Sequence, residues 1–169
     1  MRRLAAVVVV VGLALGCQKA SETSDAKRRP QPPPAPRTQP PSTLSIDVHV
    51  GERAGPPITA ARLATTPPDF QDPERRAWKL TTLLGAAAAG TRFVVAGESA
   101  ASLMLEEPAS AEAPQPVLML NRRGDVIATV ASPKQPFPAF HGEGGRLHRP
   151  GDATPHLAGV TAIKLVPKR

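Results

Sequence analysis

A proline-rich stretch near the N-terminus confines any compact fold to the residues that follow it. Residues 30–41 include seven prolines, a composition that favours the extended polyproline II conformation and gives little apolar surface for a core. At about 3.1 Å per residue, this stretch can hold a domain well away from its point of attachment. The 169-residue chain therefore has room for one small domain, which we predict at residues 44–166.

The N-terminus has the order of regions that is typical of an export signal. Arg2 and Arg3 precede an apolar run over residues 4–15, and the small residue Gly16 follows. The run of 12 residues is shorter than the roughly 20 that a membrane-spanning helix needs. A buried core helix is the alternative, but it leaves the paired arginines unexplained. We therefore predict that residues 1–16 are a signal peptide.

Cys17 lies directly after this signal and is the only cysteine of the chain. Residues 14–17, Ala-Leu-Gly-Cys, resemble the bacterial lipobox, although Ala14 stands where that motif usually has Leu. The resemblance implies that Cys17 is acylated and becomes the N-terminus of a mature lipoprotein, which makes membrane lipid the first expected partner. The residue after Cys17 is Gln18 rather than Asp. By resemblance to enterobacterial lipoprotein sorting, this implies that the protein is located in the outer membrane of the cell envelope. The alternative is an ordinary signal peptide cleaved elsewhere.

The positive charge of the mature chain is concentrated beside this anchor. Residues 18–43 hold five basic and two acidic residues, whereas residues 44–169 hold 14 basic and 12 acidic ones. A cluster such as residues 27–29, Lys-Arg-Arg, adds about 1 kcal/mol per basic residue to the attraction towards anionic headgroups. Three features argue against nucleic acid as a partner: the export signal, the small number of aromatic residues, which is five, and the lack of a binding motif.

The first half of the domain begins with a strand. Residues 44–50 alternate apolar and polar side chains, which predicts a half-buried strand. Thr59 can cap a short helix that runs to Leu63. Residues 72–74, Asp-Pro-Glu, resemble a helix start, so we expect a helix within residues 73–84 and a flexible connection over residues 86–90.

The second half is rich in strands. Residues 92–96, 102–105, 117–120, 126–130 and 159–166 are predicted strands, and residues 132–158 are a predicted loop. Because short helices and strands are mixed without a nucleotide-type glycine loop, the fold class is α+β. The predicted core consists of Leu44, Ile46, Val48, Val50, Phe93, Val95, Leu103, Leu118, Leu120, Ile163 and Leu165, with Trp78 packed against the helix at residues 83–84.

Several of these segments resemble, in order, the oxidoreductase molybdopterin-binding domain, which has the sulfite-oxidase-like fold. Residues 117–125, 140–151 and 159–165 resemble its closing segments, while residues 58–63 and 78–84 stand where that family has its first and second helices. The resemblance covers residues 44–166, although each motif is short.

The resemblance implies a molybdopterin cofactor, but its metal ligand is missing. Family members that do chemistry hold molybdenum through a cysteine thiolate, and the corresponding residues 65–76 contain no cysteine. Arg146 matches the family's arginine that approaches the cofactor, in a run that His141 begins, and Asn121 belongs to a matching Asn-Gly turn. Asn121, His141 and Arg146 are therefore the candidate cofactor-binding residues, and Arg146 should face a cleft bordered by residues 65–76.

Other catalytic or metal-binding patterns are weak in this chain. His141, His148 and His156 are spaced unlike any short metal motif, so we predict no metal site. Neither Ser99 nor Ser102 lies in a Gly-x-Ser-x-Gly turn, so no catalytic residue is assigned.

These observations predict an anchored, non-catalytic binding module that is not an enzyme and carries no cofactor. Its expected partner, besides lipid, is an envelope protein or a small anionic ligand. The alternative is a subunit of a molybdenum or electron-transfer oxidoreductase, in which Arg2 and Arg3 would belong to a twin-arginine export signal.

Overall fold

The structure of this protein is a computed structural model, and it describes residues 39–137 and 154–168. The strands in chain order are β1 (Ser45–Val50), β2 (Arg53–Thr59), β3 (Phe70–Gln71), β4 (Arg76–Lys79), β5 (Thr91–Gly97), β6 (Ser102–Glu106), β7 (Gln115–Leu120), β8 (Val126–Ala131), β9 (His156–Ala158) and β10 (Val160–Pro167). The helices are α1 (Ala60–Thr65), α2 (Leu80–Leu84) and a 3₁₀ helix (Gly85–Ala88). No helix in the described part of the chain is long and apolar enough to cross a membrane.

The strands form two five-stranded sheets. The first has the order β2-β1-β10-β5-β6, and the second has the order β3-β4-β7-β8-β9. In the first sheet β1 pairs parallel with β10, whereas its other pairs are antiparallel. All pairs of the second sheet are antiparallel. The described residues therefore form a small domain of one mixed and one antiparallel sheet with few, short helices.

One apolar core joins the two sheets and the helices. Alternate side chains of β1 and β5 point into it from the first sheet, and alternate side chains of β7 point into it from the second. The helices add Leu63, Leu80 and Leu83 to the same core. Full burial of one such side chain stabilises the fold by roughly 1.5–3 kcal/mol. The largest fully buried side chains include Ile46, Ile58, Leu63, Trp78, Leu80, Phe93, Leu118, Leu120, Ile163 and Leu165.

The strands β7, β8 and β9 of the second sheet are buried on both faces. Every residue of β7 is buried, and Val117, Met119 and Ile127 form a second apolar cluster against which Phe70 and Phe137 pack. This explains why β7 reads as a continuous apolar run rather than as an alternating one.

Most of the predicted elements are confirmed. The helix α1 begins after Thr59, whose hydroxyl oxygen accepts a hydrogen bond from the amide of Arg62 at 3.2 Å, and it ends before Pro67. The strands predicted at residues 44–50, 92–96, 102–105, 117–120, 126–130 and 159–166 are all present within one or two residues. Trp78 is buried beside α2, and its indole nitrogen donates to the carbonyl of Thr66 at 2.8 Å.

The prediction of a helix start at residues 72–74 was wrong. One carboxylate oxygen of Asp72 accepts from the amides of Glu74 and Arg75, at 2.8 and 2.6 Å, and this arrangement closes the β3–β4 hairpin. An aspartate can bind the amides of a turn in the same way as those of a helix start. The helix begins only at Leu80. Likewise, the connection expected over residues 86–90 is largely the 3₁₀ helix.

Three further features differ from expectation. The edge strand β2 was not predicted, because Gly55, Pro56 and Pro57 are poor strand formers that an edge position tolerates. The short strand β9 lies within the expected loop. Val50 was predicted in the core, but it is 42% exposed because β1 ends there, before the turn at Gly51.

Candidate functional site

The turn between β7 and β8 is organised by one buried side chain. Asn121 is only 1% exposed. Its side-chain oxygen accepts from the amides of Arg123 and Asp125, at 2.8 and 3.0 Å. Its side-chain nitrogen donates to the carboxylate of Asp125 at 3.2 Å, and Gly124 takes the positive φ of 87° that the turn requires. The turn therefore has a fixed shape, and it carries Arg123 and Asp125 on its surface.

These two residues border an open cavity of about 480 Å³. The cavity lies where four segments meet: the residues that lead into β1, the residue after β5, the β7–β8 turn, and the junction of β9 with β10. Its lining includes Pro41, Thr43, Leu44, Ser45, Glu98, Arg123, Asp125, Val126, Ala158, Gly159, Val160 and Thr161. We refer to it as the β1–β10 cavity.

Three charged side chains line the β1–β10 cavity without forming ion pairs with one another. Among the described residues, no acceptor lies within hydrogen-bond distance of the guanidinium of Arg123. No donor among them reaches the carboxylate of Glu98. One oxygen of Asp125 accepts from Asn121, and the other has no protein donor there. These three groups can therefore form charge-assisted hydrogen bonds with a bound ligand.

Gly159 fixes the position of Glu98 at the wall of this cavity. The amide of Glu98 donates to the carbonyl of Gly159 at 2.9 Å. Gly159 has a φ of +64°, and a Cβ atom added there would lie 3.2 Å from Cδ of Glu98. Glycine adopts this backbone conformation without strain, and a larger residue there would push the exposed side chain of Glu98 aside.

The resemblance places the molybdenum ligand within residues 65–76. In this structure, several polar groups of that segment form hydrogen bonds that stabilise the fold. The carbonyl of Thr66 accepts from Trp78. The carboxylate of Asp69 accepts from the amide of Lys79 at 2.8 Å and from the hydroxyl of Thr82 at 3.0 Å. No thiolate is present among these residues, and the carboxylates of Asp69 and Asp72 are used in structural hydrogen bonds, so the segment lacks the soft ligand that the resemblance requires for molybdenum.

Asp72 is held as a carboxylate in this segment. Partial burial on its own raises the pKa of Asp72, but hydrogen bonds from the amides of Glu74 and Arg75 and from the guanidinium of Arg75 outweigh that effect. The pKa of Asp72 is therefore below its usual value of 3.8.

The other predicted site residues are only partly described. His156 is buried on β9, where its Nδ1 lies 3.4 Å from the carbonyl of Thr154. Cys17, His141, Arg146 and His148 lie outside the described residues, as does the expected approach of Arg146 to a cleft. Within residues 39–137 and 154–168, no group of three or more His, Cys, Asp or Glu side chains is arranged to hold a metal ion.

Only one residue near this site could be singled out from the sequence. The sequence singled out Asn121 for its resemblance to a cofactor-binding turn, but it did not single out Arg123, Asp125 or Glu98. The hydrogen bonds of Asn121 give it a structural role in the turn, and its contact with a cofactor stays a prediction. No family model, curated protein or solved structure matches this chain.

Proposed function

We propose that this chain is an envelope lipoprotein whose domain is a non-catalytic binding module. In this proposal the acylated Cys17 attaches the protein to the outer membrane, and the basic, proline-rich residues 18–43 tether the domain. The domain has a degenerate molybdopterin-binding, sulfite-oxidase-like fold that has lost its metal chemistry.

The order of the elements supports this fold assignment. A first strand, a short helix capped by Thr59, the Trp78 segment with a short helix after it, a closing hairpin and a final strand follow one another as the resemblance expects. The missing cysteine and the structural use of Asp69 and Asp72 support the loss of metal chemistry.

The single observation that carries the binding function is the β1–β10 cavity. Its volume of about 480 Å³ falls within the range of roughly 300–1,000 Å³ that is typical of small-molecule sites. It brings together hydroxyl groups and the charged groups of Arg123, Glu98 and Asp125, and the described residues leave the Arg123 guanidinium and the Glu98 carboxylate without a protein partner.

The proposed absence of metal chemistry is tested by measuring the cofactor content of the protein. The protein is purified from its native membrane, and its molybdenum and pterin contents are measured per chain. We expect both to be far below one equivalent. A stoichiometric content of either would overturn the non-catalytic module in favour of a molybdenum-dependent subunit.

Binding is tested without assuming the identity of the ligand. The full-length lipidated protein in detergent is dialysed to equilibrium against a small-molecule extract of its own host, and the retained compounds are identified by mass spectrometry. Thr43→Trp places a large side chain in the cavity, whereas Ser42→Trp changes an exposed neighbour that is not among the lining residues. We expect at least one compound to be retained by the wild type and by Ser42→Trp but not by Thr43→Trp. Equal retention by all three proteins would exclude the β1–β10 cavity as the site.

A further inference from the structure

We propose that the ligand of the β1–β10 cavity is a small zwitterion of the α-amino acid class, either free or as a dipeptide. This inference rests on the proposed binding function, and it adds the chemical class of the ligand. It follows from the charges, the hydroxyl groups and the size of the cavity.

The cationic side of the site is Arg123. Its guanidinium is exposed and has no acceptor from the described protein, while its backbone amide is fixed by Asn121. The guanidinium group offers a planar fork of donors that matches a carboxylate through two parallel hydrogen bonds. Arg123 is therefore suited to the carboxylate of an amino acid.

The anionic side consists of Glu98 and Asp125. Glu98 lies over Gly159, and its carboxylate has no donor from the described residues. Asp125 uses one oxygen to accept from Asn121, which leaves the other oxygen available. Because an ammonium group has three donors and no acceptor, two carboxylates are a suitable environment for it.

The three charges together favour a ligand that carries both signs. A simple anion would bind Arg123 but would also face two carboxylates, and like-charge contacts of this kind are unfavourable. A simple cation would leave Arg123 without a partner. Only a zwitterion compensates charges of both signs at once, so a purely anionic ligand is less suitable than the sequence suggested.

The remaining lining sets the size and character of the ligand. The hydroxyl groups of Thr43, Ser45 and Thr161 offer neutral hydrogen bonds, whereas Val126 and Val160 give an apolar wall for a side chain. The cavity of about 480 Å³ is at the small end of ligand sites, which suits an amino acid or a dipeptide.

The test compares probes that differ only in charge. Full-length lipidated protein in detergent is dialysed against the 20 proteinogenic L-amino acids and L-alanyl-L-alanine, and separately against acetate and methylammonium at the same ionic strength. We expect at least one amino acid or the dipeptide to be retained, and neither acetate nor methylammonium to be.

Substitutions then identify the groups that bind each charge. Arg123→Ala and Glu98→Gln should each weaken the binding of the retained zwitterion about 10-fold or more, since each removes a charge-assisted hydrogen bond. Arg122→Ala should leave the affinity within about 2-fold, because this neighbouring arginine is exposed and is not among the lining residues. Circular dichroism checks that each variant is folded.

The possible outcomes separate the ligand class from the binding function. Retention of acetate as strong as that of any amino acid would show an anion site and overturn the zwitterion. Failure of every zwitterion, together with a host compound that Thr43→Trp loses, would also overturn it but leave the binding function in place. Failure in both dialysis experiments would reject the ligand class and the β1–β10 cavity together.

Discussion

Asn121 shows how one buried polar residue can determine the geometry of a surface site. Its side chain accepts hydrogen bonds from two backbone amides and donates one to a carboxylate of the same turn. A buried polar group with these partners is stable, whereas removal of the group would leave the amides without their acceptor. The positions of Arg123 and Asp125 at the cavity therefore depend on a residue that is not itself among its lining residues.

Replacing Asn121 with Ala should lower the free energy of unfolding by about 1–3 kcal/mol, because three hydrogen bonds of the turn are lost and each contributes about 0.5–1.5 kcal/mol. Urea unfolding of the two proteins measures the difference. The control is Arg122→Lys in the same turn, which keeps the exposed positive charge and should change the free energy by no more than about 0.5 kcal/mol. Equal stability of wild type and Asn121→Ala would show that the turn does not need its side chain.

At the scale of elements, the β3–β4 hairpin shows why local signals can be ambiguous. An aspartate followed by proline and an acidic residue resembles a helix start, but the side chain of Asp72 caps a tight turn here. The strand β4 is favoured because Ala77 and Trp78 pair with β7, and both are buried. This long-range pairing outweighs the local preference, and no local pattern in the sequence reports it.

Asp72→Asn should make the stability of the hairpin region less dependent on pH. The pKa of Asp72 is lowered in the folded protein, so its stabilising effect is complete above about pH 4 and is lost as the pH falls through the folded pKa. At pH 7 the variant should be less stable by at most about 1 kcal/mol, since the ion pair with Arg75 is partly exposed to solvent.

The measurement for this variant is chemical unfolding at several values between pH 7 and pH 2, with wild type and variant compared at each pH. The difference between them should disappear at the acidic end, where the carboxyl group of Asp72 is protonated. A difference that stays constant down to pH 2 would contradict an ionised Asp72 as the stabilising group.

The strands were more predictable than the regions between them. The alternation in β1 and the apolar runs of β7 and β8 are short, local patterns, and the strands predicted from them were confirmed. The strand β2 was missed because Pro56 and Pro57 argue against any strand, although an edge position does not need their amides. Local sequence does not show whether a strand lies at an edge.

At the scale of the whole molecule, the candidate site could not be predicted because it is assembled from distant segments. The β1–β10 cavity forms only after both sheets have formed, because its lining comes from residues 43–45, from Glu98, from the β7–β8 turn and from residues 158–161. Glu98 had no recognisable motif, and its position depends on a contact with Gly159 across the fold.

The location of the protein depends on a single residue in our proposal. Replacing Cys17 with Ala should abolish the incorporation of labelled fatty acid and should leave the protein uncleaved or released from the membrane, because no other cysteine can be acylated. Labelling in cells followed by membrane fractionation measures both effects. A matched control is Ser21→Ala, which should be labelled and anchored like the wild type. Equal labelling of Cys17→Ala and wild type would rule out the lipid attachment.

The parallel pairing of β1 with β10 has a consequence for the time at which this domain can fold. The register brings Asp47 beside Ala162, so the pairing closes a loop that contains nearly the whole domain. Such long-range closure is entropically costly and makes folding slow. The first sheet therefore cannot be completed until β10 has been synthesised, because β10 lies between β1 and β5. A chain truncated before Val160 would leave β1 and β5 as unpaired edges, which are prone to aggregation.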